Sequence, residues 1–395
     1  MLFIRWFPAV AGMIMAALPS GVAAHGEHLS DVAQQTGTSI GRHSASQQEN
    51  HAAIGDNYAL VRQHEQLHKH RKQQQQRQRS MRSEAVVQAS GRVVTQRQKY
   101  LPAGGGKLSA FVGGLCNEDL YRPSDLEAGF SQNAVAWTSD KETLCGHLAP
   151  KEWVTENVAG VGPPSHTFSQ ICKRGQHKQA IEPLAGILRD PNFICKGTDA
   201  RLEFSTDWLL LADNNSVAVA PNTKRYFFDA GGSNFMDAMH FFVTTYRDRG
   251  ITFDHIWVWE AQRRGVDEYW RDSPDELRAF WEPRLTFYDG VPVSANPGDA
   301  VNNPVNRVHQ LCTEEDFCVF KLDIDTPSIE RPLVQQLVAQ ADATRSSLDE
   351  FFFEHHVHGM MQAYGWASDV EGTFADSYNL FSQLRQLGVR AHSWI

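Results

Sequence analysis

From Arg225 to the C-terminus, short runs of aromatic and β-branched residues alternate with longer stretches of helical apolar spacing. Arg225 to Phe228 predicts a strand ending at Asp229, and residues 234–249 predict a helix. Ile256 to Trp259 predicts a second strand, ending at Glu260, with a helix over 267–281. Leu285 to Tyr288 predicts a third, ending at Asp289 and followed by an Asn/Pro/Gly-rich loop over 294–306. Phe317 to Leu322 predicts a fourth, running into Asp323-Ile324-Asp325, with a helix over 328–341. Phe351 to Phe353 predicts a fifth, ending in Glu354-His355-His356. A helix over 372–387 and a last strand, Val389 to Trp394, complete the pattern.

Strand–helix alternation predicts an α/β fold, a parallel sheet with helices on both faces. Ligands of such sheets bind beyond the carboxyl ends of the strands. Asp229, Glu260, Asp289, Asp323, Asp325, Glu354 and His355 all fall there, on one predicted edge. Gly231 and Gly232, between a strand and a helix, suit close backbone approach to a ligand, and the following helix N-terminus favours an anionic group. Glu260 is placed to accept hydrogen bonds from ribose hydroxyls, and Asp289 or Tyr288 to meet an adenine. Together these positions describe an adenosine-containing ligand.

Phe227-Phe228-Asp229-Ala230-Gly231-Gly232, Trp259-Glu260-Ala261, Lys321-Leu322-Asp323-Ile324-Asp325 and Phe353-Glu354-His355-His356 resemble the FkbM-like branch of class I S-adenosylmethionine-dependent methyltransferases. The resemblance covers about residues 220–395. It implies a Rossmann-like sheet whose final strand is reversed, with Asp229, Gly231 and Gly232 lining the methionine part of S-adenosylmethionine and Glu260 holding its ribose. The glycine motif departs from the family pattern in lacking its last glycine, with Phe235 nearby.

For a hydroxyl acceptor, His355 or His356 is the candidate base, with Asp323 next. Asp323 and Asp325 are candidate ligands for a divalent metal. Asp325 before Thr326-Pro327 also reads as a helix N-cap, and that reading is preferred. Two rivals stand beside methyl transfer to a small-molecule or glycan acceptor. One is a lumenal glycosyltransferase using Asp323-Ile324-Asp325 to hold a metal and a nucleotide sugar. The other is a non-catalytic secreted binding module.

Upstream, residues 100–219 read as a cap subdomain. Gly113-Gly114 predicts loop, and residues 124–129 and 176–189 predict helix. The six cysteines contain no CxxC pair, so a zinc ribbon is unsupported. Behind a secretory leader they predict disulfides. Cys312 and Cys318 are close enough for a local loop, and Cys116, Cys145, Cys172 and Cys195 are placed to staple the cap. Asn214-Asn215-Ser216 is a glycosylation sequon.

Residues 1–24 read as a signal peptide: Arg5, an apolar run from Trp6 to Leu18, and small residues at Val22-Ala23-Ala24. An uncleaved type II anchor is the alternative. Residues 25–99, rich in Gln, His, Ser and Arg and holding seven histidines between His25 and His70, predict a disordered stem. The net charge of −9 therefore divides, with +5 over residues 1–98 and −14 over 99–395. An acidic body disfavours nucleic acid as a partner. No later apolar run reaches the ~20 residues of a membrane span, which excludes polytopic insertion. Mass spectrometry of protein recovered from a secreting host is expected to find His25 as the first residue; an intact Met1 would support the anchor.

Overall fold

The computed structural model describes residues 111–148, 167–195, 205–206, 208–215, 217, 222–358 and 370–395. The leader 1–24, the stem 25–99, Ser216 of the sequon and parts of the cap lie outside the described residues. Those described fall in one compact unit, Leu67–Ile395. Among them, no helix is long and apolar enough to cross a membrane.

Two sheets organise this unit. The smaller contains β1 (Phe111–Leu115), β2 (Leu120–Arg122), β3 (Ser169–Cys172) and β4 (His177–Ile181), ordered β1-β4-β3-β2 and antiparallel. The larger contains β5 (Arg225–Ala230), β6 (His255–Glu260), β7 (Leu285–Asp289), β8 (Phe317–Leu322), β9 (Glu350–Phe353) and β10 (Arg390–Ser393). Its order is β10-β9-β8-β5-β6-β7, and every pairing is parallel. The chain thus builds outward from β5 through β6 to β7, returns to the other side of β5 at β8, and builds outward again. Right-handed crossovers in opposite directions place the two sets of helices on opposite faces. Burial agrees: β8, β9 and β10 are buried at every residue, as strands covered on both faces must be. Phe228 stacks on Trp257 at 4.8 Å, and Phe242 packs against Trp394 at 4.7 Å. β7 forms the more open edge, with all five residues partly exposed.

Several expectations are corrected. The final strand is not reversed: β10 runs parallel to β9, because the helix Phe374–Gln386 crosses between them and returns the chain in the same direction. The helix expected over 234–249 begins as a π-turn, Phe235–Met239, before the α-helix His240–Asp248. The one expected over 267–281 is two, Val266–Tyr269 and Asp275–Trp281, separated by a turn in which Asp272 has φ +65°. The loop over 294–306 ends early in a helix, Pro304–Leu311, capped by the Asn303 side chain with Pro304 in its first turn. A further helix, Ala341–Ser347, follows Pro327–Ala339. In the cap, Gly113-Gly114 lies inside β1, and His177–Ile181 is a strand rather than a helix. There, pairing with β1 and β3 overrides local preference. The expected helix at 124–129 forms within Asp125–Trp137.

Three disulfides join Cys116 to Cys172, Cys145 to Cys195 and Cys312 to Cys318. Two staple the cap and one closes a local loop before β8; together they fit an oxidising, secretory compartment.

The cap is also fastened to the edge strand β10 by buried charge. His392 points one ring nitrogen at Glu182 Oε1 (2.6 Å) and the other at Glu350 Oε1 (2.8 Å). Arg385 donates to Glu182 Oε1 (3.3 Å) and contacts Glu127 Oε2 (3.4 Å), and Arg390 reaches Glu350 Oε1 (3.4 Å) and the Ala180 carbonyl (3.0 Å). Three basic side chains thus meet three carboxylates, all buried. Burial alone would raise Glu182 and Glu350, but His392 and the arginines outweigh it and hold both below the ordinary 4.5. Their stabilising contribution is complete above that value and is lost as pH falls through their lower native values. Melting temperature is therefore expected to hold level down to about pH 5 and fall steeply below it. His392→Leu removes one side of the network and is expected to cost about 3–5 kcal/mol in denaturant unfolding. A loss under about 1 kcal/mol would show that the network does not hold the edge.

Candidate functional site

At the exit of β5, the chain turns so tightly that its glycines are required by its own packing. Gly231 has φ +99°, and a Cβ there would lie 1.7 Å from the Asp323 carbonyl oxygen. A Cβ on Gly232 would lie 2.2 Å from Val258 Cγ1 and 2.7 Å from Asp229 Oδ2. Both amides donate to the Trp259 carbonyl, at 2.9 and 3.2 Å. The close approach expected toward a ligand is thus made first to β6 and to the end of β8.

Below the turn, Asp229 is buried and accepts from Lys321 Nζ at 3.0 Å. Lys321 also lies 3.3 Å from Asp323 Oδ2. Burial works against its charge, but the two carboxylates outweigh this and raise the lysine above its ordinary value. Asp229 anchors Lys321, which ties the exits of β5 and β8 together.

The next exits differ in availability. Glu260 ends β6, is 7% exposed, accepts from the Gln262 amide (2.7 Å) and pairs with the exposed Arg264 (3.4 Å). Asp289 ends β7, but its two oxygens accept from the amides of Arg264 (2.7 Å) and Gly265 (3.0 Å). Its carboxylate shapes the loop after β6.

On the other side of the switch point, β8 and β9 deliver the remaining groups. Asp323 is directed to Lys321, whereas Asp325 lies with Glu354 and His356. In that group one donor atom from each residue lies within 4.8 Å of the others. Asp325, rather than Asp323, is the aspartate grouped with Glu354 and His356. Asp325 is not the N-cap of the next helix: that position is Thr326, and Asp325 takes φ +54°. His356 Nε2 is 3.5 Å from Glu354 Oε2, and its Nδ1 is 3.9 Å from Glu330 Oε2. Burial opposes the His356 charge, but Glu354 and Glu330 raise its value overall. Glu330 accepts from the Ile324 amide (2.9 Å) and is raised to about 7, chiefly by burial. His355 stacks on Phe353, shares a hydrogen bond with Ser377 (2.7 Å) and is lowered to about 4 by burial and then by His356.

Sequence reasoning missed Lys321, Glu330 and Arg189, whose guanidinium lies 3.2 Å from Glu354 Oε1. Lys321 had a visible signal, a lone charge inside the apolar run from Phe317 to Leu322. Neither a family model, a curated protein nor a solved structure matches the chain.

The glycine geometry is testable against a control. Gly175 also has positive φ, +84°, but nothing lies within 4 Å of its added Cβ. Gly175→Ala is expected to cost about 1–2 kcal/mol from backbone strain alone. Gly231→Ala adds a backbone collision, and at least about 4 kcal/mol is expected in the same unfolding assay. Equal losses would refute the packing account of the turn.

Proposed function

We propose that the parallel-sheet region is a Rossmann-like, S-adenosylmethionine-dependent methyltransferase domain acting on a small-molecule or glycan acceptor in the secretory pathway. The observation that carries this reading is Glu260. It is a buried acid ending β6, the strand beside β5, and β5 in turn leads into the glycine turn and borders β8 where strand order reverses. Open α/β sheets bind ligands at that crevice, and an acid there suits two vicinal ribose hydroxyls. The fit is uneven. Glu260 lies beside the rim residue Arg264, which can swing toward solvent, whereas the oxygens of Asp289 serve the chain itself. Gly231 and Gly232 form the floor of the crevice and Asp229 positions it from below.

S-adenosylmethionine would supply an electrophilic methyl on a sulfonium. The chain's task is then to align the acceptor and exclude water. Carboxylates at the sheet edge complement a cationic ligand. His355, held down to about 4, is uncharged at neutral pH and able to accept a hydroxyl proton, with Ser377 fixing the ring.

Calorimetry on the full chain is expected to detect binding of S-adenosylmethionine or S-adenosylhomocysteine. Glu260→Ala is expected to weaken it by ~1–3 kcal/mol through lost ribose hydrogen bonds. No heat with either ligand, on protein shown to be folded, would overturn the reading.

A further inference from the structure

We propose that Asp325, Glu354 and His356 form a binding site for a divalent first-row cation at the exits of β8 and β9. β8 and β9 are parallel neighbours, with Leu322 opposite Phe353, and the Glu354 amide donates to the Leu322 carbonyl. The two exits therefore leave the sheet side by side. Asp325 comes from one, Glu354 and His356 from the other, and their donor atoms gather within 4.8 Å.

The donor set defines the ion. One imidazole nitrogen with two carboxylate oxygens suits manganese, iron, cobalt or zinc as divalent ions. It suits calcium and magnesium less, because these favour all-oxygen surroundings. The supporting contacts have the form such sites use. Glu330 Oε2 lies 3.9 Å from His356 Nδ1, so the ring is steered with Nε2 toward Glu354. Glu330 is itself fixed by the Ile324 amide, and Arg189 holds Glu354 through Oε1, leaving Oε2 turned to His356.

Exposure is asymmetric in a useful way. Glu354 and His356 are buried and Asp325 is exposed, so the ion would have protein on one side and solvent on the other. Three protein ligands with an open side leave coordination positions for water or for an oxygen of an acceptor. Charge points the same way: the carboxyl groups of Asp325, Glu330 and Glu354 gather around His356, with Arg189 paired to Glu354. The ligand set bypasses Asp323, which is engaged with Lys321, so this is not the metal pair read from Asp323-Ile324-Asp325. The site does not depend on the methyltransferase reading, and it is testable with no cofactor present.

The test is a titration of the full chain, first stripped with EDTA, with manganese chloride, following loss of the free-ion signal by electron paramagnetic resonance. One manganese ion is expected at this site, with nitrogen coupling from an imidazole in the pulsed spectrum. Asp325→Asn, at an exposed position that leaves the fold intact, is expected to weaken that binding by about tenfold or more. His356→Gln is expected to remove the nitrogen coupling. Asp342→Asn, an exposed acid on the helix Ala341–Ser347, is expected to change nothing. Absence of binding would overturn the proposal. So would binding of equal strength in Asp325→Asn, which would assign the ion to the histidines between His25 and His70.

Discussion

The carboxyl edge of the parallel sheet depends on one buried ion cluster, Lys321 between Asp229 and Asp323. β5 and β8 are the strands at which the chain reverses its direction of growth across the sheet, so their exits open the crevice between the two halves. Lys321, on β8, pairs with Asp229 near the end of β5 and with Asp323 just beyond β8, while the glycine turn lies against the Asp323 carbonyl so closely that no Cβ fits. Burying these charges is costly on its own. The charge–charge contacts, together with the Trp259 carbonyl that takes both glycine amides, offset that cost.

With the exits fixed, the acidic groups along the edge divide into two sorts. Asp229 and Asp289 hold the chain, one through Lys321 and the other through two loop amides. Glu260, ending β6, lies on one side of the reversal point, and Asp325, Glu354 and His356, following β8 and β9, lie on the other. The same division explains the charge distribution of the chain. The surplus of acids in residues 99–395 includes both structural counter-ions, which are neutralised within the fold, and edge groups suited to a cationic ligand.

β5 to β9 were legible because each is a short run rich in aromatic, Leu or β-branched residues and bounded by turn residues, and strands buried on both faces are built from such runs. Their ends were legible because Asp229, Glu260, Asp289, Asp323 and Glu354 interrupt apolar sequence abruptly. What was not legible is which partner each acid chooses. Lys321 and Asp229 are 92 residues apart, and His392 and Glu182 are 210 apart, so no local spacing announces those pairs. The direction of β10 depended on a crossover helix rather than on the strand's own residues. The cap was poorly legible because β4, His-Lys-Gln-Ala-Ile, carries little strand preference and is made a strand by its neighbours.

The buried network around His392 gives the edge a rigid backing. Because β10 is fastened to the cap, the helix Phe374–Gln386 is held at both ends of its packing, and with it Ser377, which fixes His355. The cap is thereby linked to the edge chemistry without contributing a strand to the large sheet. The most direct test of the account is a crystal structure of the full chain grown with S-adenosylhomocysteine. The expected result is the ligand over the carboxyl ends of β5 and β6, beside the β5–β8 reversal point, with its ribose hydroxyls donating to Glu260. Ligand bound elsewhere, or Glu260 still paired with Arg264 and not with the ribose at saturating ligand, would contradict it.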